Sequence, residues 1–367
     1  MNRSVWLRTG ATVALPLAMV LSGVSVRAEA VDEDASFSLK LSHALRERTF
    51  MRAGVIYANV KTTSGEAYDV TGPVIKKGDL QAASSYAEFP IIGDHMSLSG
   101  DRLDEALDKV GWTGLGAPSG VRARSQSDIG TLALSVGYYL TDDFTWMLET
   151  YVLAAPLKSK IYGDGINATG KANYINGKHI LDTKLLPPTV LLGRYWGDKD
   201  AKFRPYTGVM AMYAIFFDTK ATQTLNAYMG GASPGDTSVS VKNAFGLGPS
   251  LGFKYQLGDD WHVSLNVGSV KLKTQATLTT RNTTITTDSA VINDYPQPVL
   301  DAIAATKNLY DNSTVFGDYY RSQGGSVTVF MKGVAASRGS DNLGTYVRKQ
   351  DTTLTSTLMM LSVGRSF

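Results

Sequence analysis

The sequence contains no cysteine, which excludes disulfide scaffolds, thiolate metal sites and cysteine catalysis. It also lacks an excess of either charge, because 36 Lys and Arg residues face 33 Asp and Glu residues, for a formal net charge of +3. A protein that binds nucleic acid by neutralising phosphates carries a basic excess or a basic run. Neither occurs, so we expect no nucleic-acid partner.

Long hydrophobic runs are also scarce, and the one that stands out lies near the N-terminus, from Ala11 to Val26. Two arginines precede it, and the small-x-small sequence Ala28-Glu29-Ala30 follows it. The run is shorter than the roughly 20 residues that a spanning helix needs. We therefore predict that residues 1–30 are a secretory signal peptide and that residues 31–47 form a periplasmic N-terminal segment.

Beyond this segment, apolar residues alternate with small or polar residues. The clearest stretch runs from Phe245 to Leu257, where seven apolar residues occupy every second position. A helical stripe needs spacings of three and four, so the pattern predicts a strand. The intervening residues are mostly small, which suits the crowded interior of a narrow closed barrel, whereas the apolar face suits lipid. A soluble β-sandwich is the alternative, but its outer face would be richly charged.

Eight such strands are predicted, and short and long connections alternate strictly between them. This organisation is typical of an all-β, eight-stranded antiparallel transmembrane β-barrel over residues 48–367, with tight periplasmic turns, long extracellular loops and both termini in the periplasm. The longest loops are expected at about 63–126 and 283–351. The predicted strands are 48–62, 127–141, 144–163, 183–196, 204–225, 240–257, 261–282 and 352–367.

The long loops contain further patterns. Val327, Val329 and Met331 alternate, so a ten-stranded barrel with an extra hairpin remains an alternative. Helical spacing within 101–110 and 301–309 predicts short helices there, in loops that pack on themselves.

The chain ends with apolar residues at alternate positions and a terminal Phe367. Such an ending resembles the terminal strand that outer-membrane assembly machinery reads, and we therefore expect Phe367 to be an assembly signal and that machinery to be a partner. Arg365 stands where an aromatic residue is usual, and an arginine at an interface can extend its charge into water.

Six short motifs lie in or next to the predicted strands. They are Phe50-Met-Arg-Ala-Gly54, Leu153-Ala-Ala-Pro156, Leu185-Leu-Pro-Pro-Thr-Val-Leu-Leu-Gly-Arg-Tyr-Trp-Gly197, Phe203-Arg-Pro-Tyr-Thr-Gly208, Phe216-Phe-Asp218 and Gly258-Asp-Asp-Trp261. Together they closely resemble the OmpW family of small outer-membrane barrels. The resemblance covers roughly residues 48–62, 127–282 and the last strand, and it fails in the first and last long loops, which are longer here.

The resemblance implies an outer-membrane, porin-like protein of a Gram-negative cell envelope whose apolar lumen passes small hydrophobic molecules, with a sideways exit through a gap in the wall. Strand parity places five apolar residues on the inward face as the expected transport path: Leu153, Leu157, Met210, Met212 and Phe216. The alternative is that these residues pack the core of a plugged barrel. Prolines remove ladder hydrogen bonds, so the expected lateral opening lies near Pro156, Pro187 and Pro188, for which a kink near a loop base is the plain alternative.

The same parity puts Glu149 and Lys254 inside the barrel toward the periplasmic end, where we predict a buried charge pair that plugs the floor. An enzyme is not expected. His262 and Ser264 share the inward face, but residues two apart on one strand lie roughly 6.5–7 Å apart, too far for a base and its nucleophile. The four histidines are scattered, so no metal site and no cofactor is expected.

A structural or surface-interaction barrel, an adhesin or receptor acting through its long loops, is the competing function. The expected partners are outer-membrane lipids and lipopolysaccharide, and a small hydrophobic ligand or detergent in the lumen. Four basic residues lie in or beside the predicted loops: Arg122, Arg124, Lys158 and Lys160. They either contact lipopolysaccharide phosphates or are simply solvated surface charges.

Overall fold

A computed structural model describes residues 47–85, 93–116 and 118–367 of the chain. The predicted signal peptide and all but the last residue of the predicted segment 31–47 lie outside the described residues. Within the described residues, every helix is too short or too polar to cross a membrane.

Eight antiparallel strands form the body of the molecule, and three of them are interrupted into two halves. The prediction of eight strands is confirmed. The strands are β1 Thr49–Ser64, β2 Arg122–Tyr139, β3a Trp146–Leu153, β3b Leu157–Asp164, β4a His179–Leu186, β4b Thr189–Tyr195, β5 Phe203–Ala221, β6a Thr237–Val241, β6b Ala244–Gln256, β7 Trp261–Thr280 and β8 Tyr346–Ser366.

The sheet closes on itself through β1. This strand pairs with β8 from Phe50 to Ser64 and with β2 from Thr49 to Thr63, so that the first and last strands are neighbours. The remaining pairs follow the chain from β2 to β8. Because the ring is closed, the soluble sandwich is not the fold of this chain.

The ten-stranded alternative, with an extra hairpin in the last long loop, is wrong. Val327, Val329 and Met331 lie in a helix, Ser326–Ser337, and not in a hairpin. Consecutive residues from Ser326 to Met331 are all buried, so the helix is covered on every side. A helix that is apolar all round has no face to reveal its period, and three alternating residues cannot distinguish it from a strand.

The two ends of the barrel differ. At the turn end, short connections at 140–145, 196–202 and 257–260 join the strands. At the loop end, the helices of residues 65–121 and 281–345 form a layer that we call the cap, with its own core that includes Leu107, Tyr295 and Val334. The helices at the loop end are α1 Asp79–Ala83, α2 Gly93–Lys109, α3 Gln223–Tyr228, α4 Gln297–Tyr310, α5 Gly317–Ser322 and α6 Ser326–Ser337, with a 3-10 turn at Ala290–Asp294.

The helices expected near 101–110 and 301–309 are therefore present as parts of α2 and α4. Each turns apolar residues inward at helical spacing, as Leu103, Ala106 and Leu107 do in α2.

Large apolar side chains face outward around the whole ring and form an exposed belt. Aromatic residues mark both of its edges, as is typical of barrels that contact lipid. Those near the turn end are Trp146, Trp196, Phe203, Tyr255, Trp261 and Phe367, and those on the loop side are Tyr57, Tyr213, Phe217 and Phe245.

Candidate functional site

The wall of the barrel is interrupted at β3 and β4. Residues 154–156, which end in Pro156, separate β3a from β3b, and Pro187 and Pro188 separate β4a from β4b. The two halves nearer the turn end, β3a and β4b, pair with each other, and so do the two halves nearer the loop end, β3b and β4a. The register shifts by two residues between these two ladders. A proline has no N–H to donate to a ladder, so this is the local reason for both interruptions.

A longer break lies between β2 and β3b. The strand β2 pairs with β3a over residues 133–139 and with β3b over Arg122–Arg124 only. Between them, in a stretch that is fully described, no ladder pair joins residues 125–132 to β3b, although β2 stays paired with β1 here and the Leu132 carbonyl still accepts a hydrogen bond of 2.9 Å from the Ala154 N–H. These eight residues correspond to roughly 26 Å of strand. The strands lie side by side here, and the hydroxyls of Ser127 and Ser159 are 3.0 Å apart across the break.

The break begins at the loop-side edge of the outward belt. Leu132, at its lower end, is exposed and apolar, whereas the outward positions above it are polar, including Asp128 on β2 and Lys158 and Lys160 on β3b. Unpaired backbone is not tolerated in hydrocarbon. At this height, lipid headgroups and water can satisfy its hydrogen bonds.

Only one of the three prolines borders this break. Pro156 immediately precedes β3b, whereas Pro187 and Pro188 lie on β4, one strand further away. The carbonyl of Pro187 accepts a hydrogen bond of 2.8 Å from Thr189 Oγ1, and that of Pro188 accepts one of 3.0 Å from the Tyr213 N–H. Pro188 is thus tied to the neighbouring strand β5, and Pro187 to its own strand β4b.

The lumen beside the break is lined by apolar side chains. Leu153, Leu157, Met210 and Met212 are buried on the inward face, and Phe216 is half-buried nearer the loop end. They belong to one packed cluster that fills the barrel. Gly268 makes room for this packing, because a Cβ at that position would lie 2.8 Å from the Met210 methyl group.

A hydrogen-bonded network forms the floor of the lumen toward the turn end. Arg52 Nη1 donates to Glu149 Oε2 at 2.7 Å, its Nη2 to Tyr195 Oη at 2.9 Å and its Nε to His262 Nε2 at 3.1 Å. Glu149 also accepts hydrogen bonds from the hydroxyls of Ser135 and Tyr151. All of these groups are buried.

The predicted pairing of Glu149 with Lys254 is wrong, although both residues lie in the lumen. Lys254 Nζ instead donates to Tyr139 Oη at 3.3 Å. The physical reason is the register around the ring, which brings Arg52 on β1 within reach of Glu149 on β3a. Arg52 was not predicted, but it is the one charged residue at an inward position of β1, and parity alone could have identified it.

A buried carboxylate ties three loops together at the loop end. Asp294 accepts hydrogen bonds from Tyr228 Oη at 2.8 Å, from Asn167 Nδ2 at 3.1 Å and from the Tyr174 N–H at 3.0 Å. Burial, together with the neighbouring Asp294 charge, raises the pKa of the Tyr228 phenol well above its usual value. The loops above the lumen are therefore joined by a phenol that must keep its proton.

The remaining candidate residues lie apart from this site. Phe367 follows β8 on the outward belt, where its N–H donates to the Thr49 carbonyl and the guanidinium of Arg365 lies 5.9 Å from its ring centre. Arg122, Arg124, Lys158 and Lys160 face outward on the loop side of the belt. Within the described residues, no group of three or more His, Asp and Glu side chains is arranged to hold a metal ion.

Comparisons with known proteins identify the family of this chain. The sequence model of the OmpW family matches residues 95–294, which are 200 of the 367 residues and include β2 through β7. Outer membrane protein W of Vibrio cholerae serotype O1 is 29% identical over 174 residues, covering 47% of this chain and 70% of that protein. Outer membrane protein W of Escherichia coli K12 is 28% identical over 184 residues, covering 50% of this chain and 76% of that protein.

The crystal structure of the outer membrane protein OprG from Pseudomonas aeruginosa is 16% identical, covers 87% of this chain and 95% of that chain, and has a TM-score of 0.49. The family match spans more than half of the sequence and coincides with the interrupted strands of the barrel wall. The chain therefore belongs to the OmpW family and is an outer-membrane β-barrel protein.

Proposed function

We propose that this protein is a passive conduit for small hydrophobic molecules, which enter the lumen at the loop end and leave sideways between β2 and β3b. The observation that carries the proposal is the stretch of β2, residues 125–132, that pairs with β1 on one side but has no ladder partner on β3b, beside an apolar lumen. An opening at this height would release an apolar molecule at the edge of the lipid layer instead of into water. The inward residues of this stretch, Ser127, Ile129 and Thr131, are only half-buried, which fits an opening here. We call the break between residues 125–132 of β2 and β3b the seam.

The floor supports a sideways route over a straight one. The network around Arg52 and Glu149 closes the barrel toward the turn end with buried charges and hydrogen bonds. An apolar molecule that continued downward would have to replace these hydrogen bonds with apolar contacts, which costs free energy for each polar group left unpaired. A molecule that leaves through the seam beside Pro156 breaks no comparable network of buried hydrogen bonds.

The lumen is packed, so passage requires side chains to move. Met210 and Met212 are each 1% exposed and occupy the path beside the seam. Methionine has an unbranched, flexible side chain and a polarisable sulfur, so it can change rotamer and still contact an apolar ligand. We infer that these two residues yield to a ligand without a change in the strands themselves.

Uptake of a fluorescent apolar dye by intact cells tests the conduit. Cells with the protein should take up the dye faster than cells without it, and Met212→Arg should abolish the difference because it places a charge in the apolar path. Ser240→Arg is the matched control. Ser240 faces outward on β6a above the belt, so the substitution adds the same charge outside the lumen. Equal uptake by cells with and without the correctly inserted protein would contradict the proposal.

A second function, a surface-interaction barrel acting through its loops, draws support from the filled lumen and from the separate core of the cap. It needs no internal path. Under this alternative, Met212→Arg would leave uptake unchanged, whereas replacing the exposed tip of the cap around Val315, which is 74% exposed, would abolish binding of a partner.

We also propose an orientation and lipid contacts. The short turns would face the periplasm, together with both termini, and the cap would face outside the cell, as in even-stranded outer-membrane barrels. Four outward basic residues just above the belt would then meet lipopolysaccharide phosphates: Arg122, Arg124, Lys158 and Lys160. Phe367 would serve as the signal that assembly machinery reads.

A further inference from the structure

We propose that the floor of the lumen binds one small anion, of the size of a halide or a carboxylate group, between Arg204 and Lys254. These two residues are directly opposite each other on the neighbouring strands β5 and β6b, and both face inward. Like charges directly opposite on a ladder repel each other. An anion between them would turn this repulsion into attraction on both sides.

Burial strengthens the repulsion between these two cations. Arg204 is 1% exposed and Lys254 is 8% exposed, so water screens neither charge well. Two nitrogens of Arg204, Nε and Nη1, have no hydrogen-bond partner among the described residues, and its Nη2 donates to the Phe144 carbonyl at 3.1 Å. A buried charge without a counter-charge destabilises the folded protein.

Among the residues that the structure describes, no carboxylate pairs with Arg204 or Lys254. Of the buried charged residues in the described part of the lumen floor, three are cations, Arg52, Arg204 and Lys254, and one is an anion, Glu149. Glu149 is already bound by Arg52 and by two hydroxyls. The floor therefore carries an excess of two positive charges.

Aromatic rings stabilise the two cations without neutralising them. The guanidinium carbon of Arg204 lies 4.7 Å from the ring centre of Tyr195, and Lys254 Nζ lies 5.7 Å from that of Tyr139. The ring centres of these two tyrosines are 6.1 Å apart. The ring face of Tyr195 attracts the Arg204 guanidinium but offers no acceptor to its N–H groups. Lys254 Nζ lies beside the hydroxyl of Tyr139, to which it donates at 3.3 Å, and an ammonium keeps further N–H groups for another acceptor. This arrangement orients both cations, and a bound anion would accept hydrogen bonds from their remaining N–H groups.

The place of the site in the barrel indicates how the anion would arrive. Arg204 is the second residue of β5, and Lys254 lies two residues before the end of β6b, so both are close to the turn end. A halide or formate would enter from that side. The carboxylate of an apolar acid would instead arrive from the lumen with its chain among the apolar residues. The inference does not depend on the conduit proposed above, because an anion can bind to a barrel that transports nothing.

Chloride-35 NMR line widths test the site directly in the full-length protein, refolded in a nonionic detergent. The unaltered protein should broaden the chloride line in excess of detergent alone. Lys254→Met should reduce this excess at least tenfold, whereas Lys254→Arg should retain it. Lys271→Met, which removes an exposed lysine on the outward face of β7, should also retain it. Arg204→Gln provides a second variant if Lys254→Met does not fold.

Two competing carboxylates distinguish the sources of the anion. Formate and hexanoate should both displace chloride. Equal displacement at equal concentration would assign a small anion from the turn end, and displacement by hexanoate at a concentration at least tenfold lower would assign an apolar acid whose chain lies in the lumen. Excess broadening that is absent from the unaltered protein, or that survives in both Lys254→Met and Arg204→Gln, would overturn the proposal, whatever the dye-uptake experiment gives.

Discussion

The guanidinium of Arg52 on β1 binds the carboxylate of Glu149 on β3a, with Nη1 and Oε2 2.7 Å apart and both side chains almost fully buried. The strand β2 lies between these two strands in the wall, so the ion pair joins them across the interior of the barrel. The nearby hydroxyls of Ser135, Tyr151 and Tyr195 complete the hydrogen bonding of both ions. A fully hydrogen-bonded pair is the condition under which buried charges are tolerated.

Glu149→Gln should therefore lower the free energy of unfolding by about 3–5 kcal/mol, because it leaves Arg52 buried without a counter-charge. Urea unfolding in detergent, followed by the gel mobility of the folded and unfolded barrel, measures the change. Glu66→Gln removes the partner of the exposed Arg122 and should cost only about 0–1 kcal/mol. Equal losses in the two variants would show that burial of the Arg52 pair contributes nothing.

A disulfide across the seam between β2 and β3b should block the sideways exit. The hydroxyls of Ser127 and Ser159 are 3.0 Å apart, and the chain has no cysteine of its own, so the double variant Ser127→Cys/Ser159→Cys has a clean background. Oxidation should lower dye uptake at least fivefold, and a reductant should restore it, because only the seam changes between the two states.

The matched control for this disulfide is Ser269→Cys/Thr357→Cys. These hydroxyls are 3.3 Å apart across β7 and β8, which are paired without interruption over Trp261–Thr280. Oxidation of the control should leave uptake unchanged. If the seam variant passed dye equally well when oxidised and when reduced, the exit would have to lie elsewhere.

Alkaline pH should loosen the cap before it affects the barrel. Tyr228 donates to the buried Asp294, and burial together with that carboxylate raises the pKa of Tyr228. A folded-state pKa above the unfolded value of about 10 contributes stability that is complete below that pH and is lost as the pH rises beyond it. Limited proteolysis of the loops between pH 8 and pH 11 should therefore accelerate above about pH 10, while the barrel stays folded.

Tyr228→Phe identifies the group responsible. At pH 8 this variant should be cleaved faster than the unaltered protein, because Asp294 loses a hydrogen bond that contributes about 1–3 kcal/mol. Its cleavage should then depend less steeply on pH. Tyr319→Phe, at an exposed position of α5, should behave like the unaltered protein. A pH dependence that is identical in all three proteins would assign the alkaline loosening to other groups.

Local patterns identified the strands because a strand presents alternate side chains to its two faces, and this period is visible in the sequence alone. The stretch from Phe245 to Leu257 is the clearest case, and its apolar members face outward on β6b. The same rule failed at Val327, Val329 and Met331. Their alternation is three residues long, and the helix that contains them is buried on every side.

Parity also placed Glu149 and Lys254 inside the barrel but could not determine their partners. Glu149 lies 97 positions from Arg52, and the contact exists only because the register of β1, β2 and β3a brings the two side chains to one height. Lys254 lies opposite Arg204 for the same reason. Direction is a property of one strand, whereas a contact across the lumen is a property of the closed ring.

The sequence by itself thus favoured an eight-stranded antiparallel barrel over its ten-stranded and sandwich alternatives, and it set the inward or outward direction of side chains on the clearly alternating strands, because these follow from alternation and from the lengths of the connections. Only the tertiary structure decided that the ladder fails between residues 125–132 and β3b, that Arg52 holds Glu149, and that Asp294 joins three loops. Each of these depends on pairing between segments far apart in the chain, and no local period encodes the register that sets such pairing.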